Sequence, residues 1–202
     1  MPCSAPSYPR HPRARSAPAA ELGRWLATNL LVTQPLFEFK CGMCGEVHLQ
    51  RPAWHFAAPI QVSAVPPAER EVRVDLTEDD CVIDEKEFYL KALLELPIIG
   101  SPNSFVWGVW LSVSAESHAR FAASFTDVDR SPGEPFFGWL CNELPSYPST
   151  QLLKTMVHVR DYPLRPWIEL EPTNHPLAID QRNGISVEKA ILLTEAFLHP
   201  SA

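Results

Sequence analysis

Proline occurs 21 times in this 202-residue chain, against only eight glycines. Each proline fixes one backbone angle and removes one amide donor, so it ends a helix or interrupts a strand. Spread this widely, the prolines exclude a long helical bundle. They predict short strands, short helices and ordered loops. The length suits one domain with a proper core but is short for two. Six Trp and ten Phe supply bulky material for that core.

Residues 1–35 read differently from the rest. Prolines at 2, 6, 9, 12 and 18 forbid an amphipathic helix at the start, so 1–18 is expected to be disordered. Leu22, Trp25, Leu26 and Leu30 share one face of a candidate short helix over 19–32. The remainder, 36–202, is expected to form one globular domain. Formal net charge is −7, and residues 1–35 carry four Arg and one Glu, which leaves about −10 on the remainder. An acidic body is unsuited to a nucleic-acid groove or an anionic membrane surface. There is no apolar run of about 18 residues, which argues against a membrane span. Five cysteines with no apolar leader behind the arginines point to a reducing compartment, the cytoplasm.

Phe37 to Lys40 alternates into Cys41 and predicts a short strand, with His48 to Gln50 as its return. Pro66 and Pro67 open a short helix from Ala68. Asp79 to Ile83 and Glu87 to Leu96 read as a hairpin around Asp84–Lys86. Phe105 to Val113 is apolar on both faces and belongs at the centre of the sheet. Ser114 caps a helix that follows it, and Ser186 caps a last helix over 187–198. Further strands are expected over 134–144, 152–160 and 166–170. Strands follow one another without βαβ alternation. The fold class expected is therefore α+β: a mainly antiparallel sheet with a few helices on one side, preceded by a short cysteine-knuckle hairpin.

Several stretches together resemble a bacterial family known as domain of unknown function 2199. They are Phe39-Lys-Cys-Gly-Met-Cys-Gly-Glu-Val-His48, Asp80-Cys-Val-Ile-Asp84 and Glu95-Leu-Pro-Ile98. Phe105-Val-Trp-Gly-Val-Trp-Leu-Ser112, Pro135-Phe-Phe-Gly-Trp-Leu-Cys-Asn-Glu-Leu-Pro145 and the run from Arg165 to Ala178 complete the set. The resemblance covers about three-quarters of the chain and carries no activity, substrate or catalytic residue with it.

The Cys41-Gly42-Met43-Cys44-Gly45 turn holds the clearest chemistry. A Cys-x-x-Cys turn brings two sulfurs to one side, and a following glycine lets the backbone curl around them. A thioredoxin-like redox pair would need a helix starting at Cys41, but the flanks alternate like strands. The turn therefore reads as half of a structural zinc site. His48 and Cys81 are the candidates for the other half, with Cys141 a further one. Cys81 equally fits a small buried residue of its strand, and a metal-free hairpin is the alternative to any site.

No Gly-x-Ser-x-Gly, His-Glu-x-x-His or phosphate-binding glycine loop is present. The function expected is a non-enzymatic binding module with a protein or peptide partner. Trp107, Trp110, Trp139 and neighbouring aromatics would form its surface or core, and Asn142, Glu143 and Tyr147 a polar rim. The alternative is a small metal-dependent or His-assisted hydrolase centred on His175 with Glu169 and Glu171.

Overall fold

Two long neighbouring strands, β6 (Glu87–Pro97) and β7 (Ser104–Val113), organise the molecule. They pair antiparallel along almost their whole length, from Phe88 opposite Val113 to Pro97 opposite Ser104. Their side chains alternate with period two. Leu90, Ala92, Leu94 and Leu96 face one way with Phe105, Trp107, Val109 and Leu111, all fully buried in the main core. Tyr89 and Trp110 face the other way, into a second cluster with Val65, Cys81, Ile83 and Cys141. Trp107 and Trp110, three apart, thus serve opposite cores, as their spacing requires.

The computed structural model describes residues 37–199 apart from 51 and 132, all within the unit 34–202. The expected disorder at 1–18 and helix at 19–32 lie outside the described residues. Before the ribbon come β1 (Phe37–Lys40), β2 (Val47–Gln50), β3 (Ala53–His55), two 3-10 turns and a one-turn helix α1 (Arg70–Arg73). Then follow β4 (Val74–Leu76) and β5 (Asp80–Ile83). After the ribbon come α2 (Ala115–Ala123), β8 (Phe136–Leu140), β9 (Lys154–His158) and β10 (Trp167–Leu170). Helices α3 (Pro176–Asn183) and α4 (Val187–Leu198) end the described chain.

The expected antiparallel sheet with helices on one side needs correction. The strands β7-β8-β9-β10-β6 run in order and β6 pairs again with β7, so five strands close a barrel. The closing contact is parallel, Trp167 of β10 opposite Leu93 of β6, whereas the other four pairings are antiparallel. The cause is the length of the ribbon. Its two strands are long enough to take different neighbours at each end. β6 pairs with β5 over Glu87–Leu90 and with β10 at Leu93. β7 pairs with β8 at Leu111 and Ser112 and with β3 over Val106–Gly108. A twisted sheet whose middle strands change partner in this way coils until its ends meet.

The expected hairpins and caps are present. β1 and β2 form a separate two-stranded antiparallel hairpin. Ser114 Oγ accepts from the Ser117 N–H, and Ser186 Oγ accepts from the Lys189 N–H. Leu177 and Ala178 of α3, with Ala190 and Leu193 of α4, are buried in the main core, so these helices pack on the barrel itself.

Candidate metal centre

Phe39 anchors the hairpin. It is buried and its ring stacks on His48 at 5.4 Å, directly across the β1–β2 register. That pairing turns the His48 ring along the strands towards the Cys41–Gly45 turn. The turn is closed by backbone bonds, Cys41 N–H to Glu46 O at 2.8 Å and Gly45 N–H to Cys41 O at 3.0 Å. Gly45 has φ +78°, a left-handed conformation that glycine adopts without strain. Cys44 Sγ then lies 3.3 Å from His48 Nε2.

The fourth group comes from the far end of the chain. Helix α4 ends at Leu198, and His199, the next residue, places Nε2 3.4 Å from Cys41 Sγ across a separation of 158 residues. One turn earlier, Glu195 Oε1 accepts the Gly42 N–H at 2.5 Å. One ligand atom each from Cys41, Cys44, His48 and His199 all lie within 4.8 Å of one another. A tetrahedral zinc ion with bonds of about 2.3 Å to sulfur and 2.0–2.1 Å to nitrogen would space sulfur and nitrogen about 3.6 Å apart. The two observed sulfur–nitrogen separations fall just inside that value. Cys41 is buried, Cys44 exposed and both histidines are intermediate.

The structure therefore brings together three of the residues singled out from the sequence, Cys41, Cys44 and His48, and adds His199. It does not bring Cys81 to them. Cys81 lies on β5 opposite Leu76 and Tyr89, fully enclosed in the second core cluster beside Cys141. Burial pushes both of those thiols up to about 12, which keeps them protonated and poor as ligands. His199 carries no local signal, since no spacing rule connects it to a turn 158 residues away.

The residues of the alternative hydrolase centre are engaged elsewhere. His175 is the N-cap of α3, its Nδ1 accepting from the Leu177 N–H at 3.2 Å. Glu169 lies 3.6 Å from His158, which stacks on Trp167 at 4.1 Å, and Glu171 pairs with Lys154. A cleft of about 160 Å³ lined by Trp139, Leu152, Lys154, Glu171 and Thr173 includes neither His175 nor Glu169. Of the expected polar rim, Asn142 is buried, accepting from the Trp110 N–H at 2.7 Å, and Tyr147 donates to Asp180. Glu143 does border a groove of about 360 Å³, otherwise apolar, with Phe56, Leu144, Pro145, Ala196 and Phe197. Among the described residues no helix is long and apolar enough to cross a membrane.

A family model described as an uncharacterized protein conserved in bacteria (DUF2199) matches residues 40–185. The match takes in Cys41, Cys44 and His48 and stops short of His199. No curated protein and no solved structure matches the chain.

Proposed function

The chain belongs to the uncharacterized bacterial family DUF2199, and we propose that it is a binding module whose barrel is fastened by one structural zinc ion at Cys41, Cys44, His48 and His199. The observation that carries this reading is the convergence of four metal-ligating atoms within 4.8 Å, from a hairpin and from the residue after the last helix. A donor set of two cysteine sulfurs and two imidazoles suits zinc and does not suit the oxygen-seeking magnesium and calcium. All four positions are filled by the chain, so no coordination site is left for a substrate, which makes the role structural. The ion would fasten the end of α4 to the hairpin that precedes the barrel.

The binding role rests on surfaces, and the partner class we infer is a protein or peptide. Phe137, Trp139 and Met156 are exposed on the outer face of neighbouring strands, and Phe137 and Trp139 meet edge to face at 4.9 Å. Phe, Trp and Met are enriched in protein interfaces, and Lys154 and Glu169 on the same face would fall at a polar rim.

Metal analysis of untagged protein purified without chelator tests the site. About one zinc per chain is expected. Cys81→Ala should retain that zinc, whereas His199→Ala should lower the affinity by at least tenfold, read by competition with a chromophoric chelator. Zinc-free protein, or loss of zinc from Cys81→Ala with His199→Ala unaffected, would overturn the assignment.

A further inference from the structure

The last turn of α4 faces two ways. On one side Glu195 and His199 reach the cysteine turn, through the Gly42 N–H and Cys41 Sγ. On the other, Phe197 packs among Trp54, Phe56 and Trp107, with ring centroids 4.8, 5.9 and 5.6 Å away. Ala196 and Phe197 also form one wall of the apolar groove against Leu144 and Pro145. Whatever holds Cys41 to His199 therefore also sets the position of that wall.

The two thiols of the site differ in access. Cys44 is exposed, on a turn whose Met43 is 67% exposed, while Cys41 is 1% exposed behind it. The other described cysteines, Cys81 and Cys141, are buried in the second core cluster. An oxidant arriving from solvent meets the Cys44 sulfur first and finds the Cys41 sulfur three positions away to complete a disulfide. That is the arrangement of a reactive cysteine with its resolving partner.

We propose that the cysteine turn is a peroxide-sensitive latch on the groove: oxidation of Cys41 and Cys44 to a disulfide ejects the zinc and frees the end of α4. The inference rests on the zinc reading above. In the first step the Cys44 thiolate attacks a peroxide oxygen, the O–O bond breaks and hydroxide leaves, giving a sulfenic acid. In the second the Cys41 thiolate attacks the Cys44 sulfur, the S–O bond breaks and a second hydroxide leaves. Two electrons pass from the sulfurs to the peroxide, and two protons taken from solvent convert both hydroxides to water. Zinc departs as the aqueous dication, because a disulfide offers it no anionic ligand and two imidazoles alone hold it weakly. His199 then has no partner at Cys41, and the wall bearing Phe197 is held by its packing alone. A thioredoxin-like catalyst is a different device: it needs a helix beginning at the first cysteine, and here a closed turn stands instead.

The test uses the full-length, zinc-loaded protein and hydrogen peroxide. Expected are loss of one zinc per chain into a chromophoric chelator, a mass about 2 Da below that of the reduced chain when both are denatured and metal-free, and a Cys41–Cys44 disulfide in the peptide map. Hydrogen exchange over 193–199 should accelerate about tenfold or more, and dithiothreitol with zinc should reverse all of it. A disulfide that maps to Cys81 or Cys141, zinc retained at full oxidation of Cys44, or unchanged exchange over 193–199 after zinc release would each overturn the latch. Protein that carries no zinc before peroxide is added would overturn the zinc reading itself, so the two failures are distinguishable.

Discussion

Gly108 sits in the middle of β7, where a strand would ordinarily favour a side chain. A Cβ built there would lie 2.8 Å from both Cγ and Cε1 of His55 and closer still to Nδ1. The His55 ring therefore rests on the bare backbone of Gly108, its register partner in the parallel β3–β7 pair. This seat joins the segment carrying Phe56 to the barrel, since the Phe56 N–H donates to Gly108 O at 2.9 Å. His55 is exposed on its short border strand, so in Gly108→Ala its ring can turn towards solvent, and the overpacking cost should stay at about 1 kcal/mol. For a domain of this size that is a melting-temperature loss of roughly 2–4 °C, at about 2–4 °C per kcal/mol. In a His55→Ala background the clash is gone and alanine regains about 0.5–1 kcal/mol over glycine in a strand, so the sign reverses. Urea unfolding of the four proteins of this cycle gives the coupling directly. A second readout is independent of stability. His55 is exposed as a residue, but its ring lies against the sheet, and that desolvation, with Lys91 and Arg165 nearby, lowers its pKa; displacement should return it towards 6.5 in an NMR titration. Equal destabilisation by Gly108→Ala in both backgrounds, or an unmoved His55 titration, would refute the reasoning.

The same histidine sets a pH dependence. Its folded pKa lies below its unfolded value of about 6.5, so the unfolded chain binds the proton first. Stability should be level above pH 6.5, fall as pH drops towards 4, and fall less in His55→Ala, as checked by urea midpoints across that range. Arg130 is buried, and its guanidinium donates to Arg160 O at 2.6 Å, Phe125 O at 2.9 Å and Leu164 O at 3.0 Å. Arg130→Met keeps the aliphatic stem but strips three carbonyls of their donors, and should cost about 2–4 kcal/mol by chemical denaturation.

The parts of the fold legible in the sequence are those governed by local pattern. The continuous apolar run Phe105–Val113, the caps at Ser114 and Ser186 and the turn at Asp84–Lys86 each rest on residues within one element. Barrel closure was not legible. It depends on Trp167 meeting Leu93, 74 positions apart by the numbering, and on a ribbon long enough to serve two sets of neighbours. Helix α3 was missed although its signal exists, a proline at the first helical position directly after His175. The second proline of the pair at 172 and 176 serves both as a loop residue and as a helix-opening one, so spacing alone does not separate the two. At the candidate metal centre three of the four converging residues, Cys41, Cys44 and His48, were legible because they lie within eight positions of one another. The choice of Cys81 as the fourth followed residue type, whereas its burial on β5 followed from sheet register, which composition does not encode.

The closed barrel also determines how a partner can attach. Among the described residues, the larger sheet ends on two border strands, β3 and β4, each of three residues. Beside β4, Arg73 and Asp84 form an ion pair at 2.6 Å, and a charged, very short border is a poor template for another chain's backbone. The long ribbon, which would otherwise invite strand addition and aggregation, has both of its flanks occupied. A partner of the proposed binding module would then engage side chains on the barrel's outer face or the groove beside α4, and could be helical or irregular there.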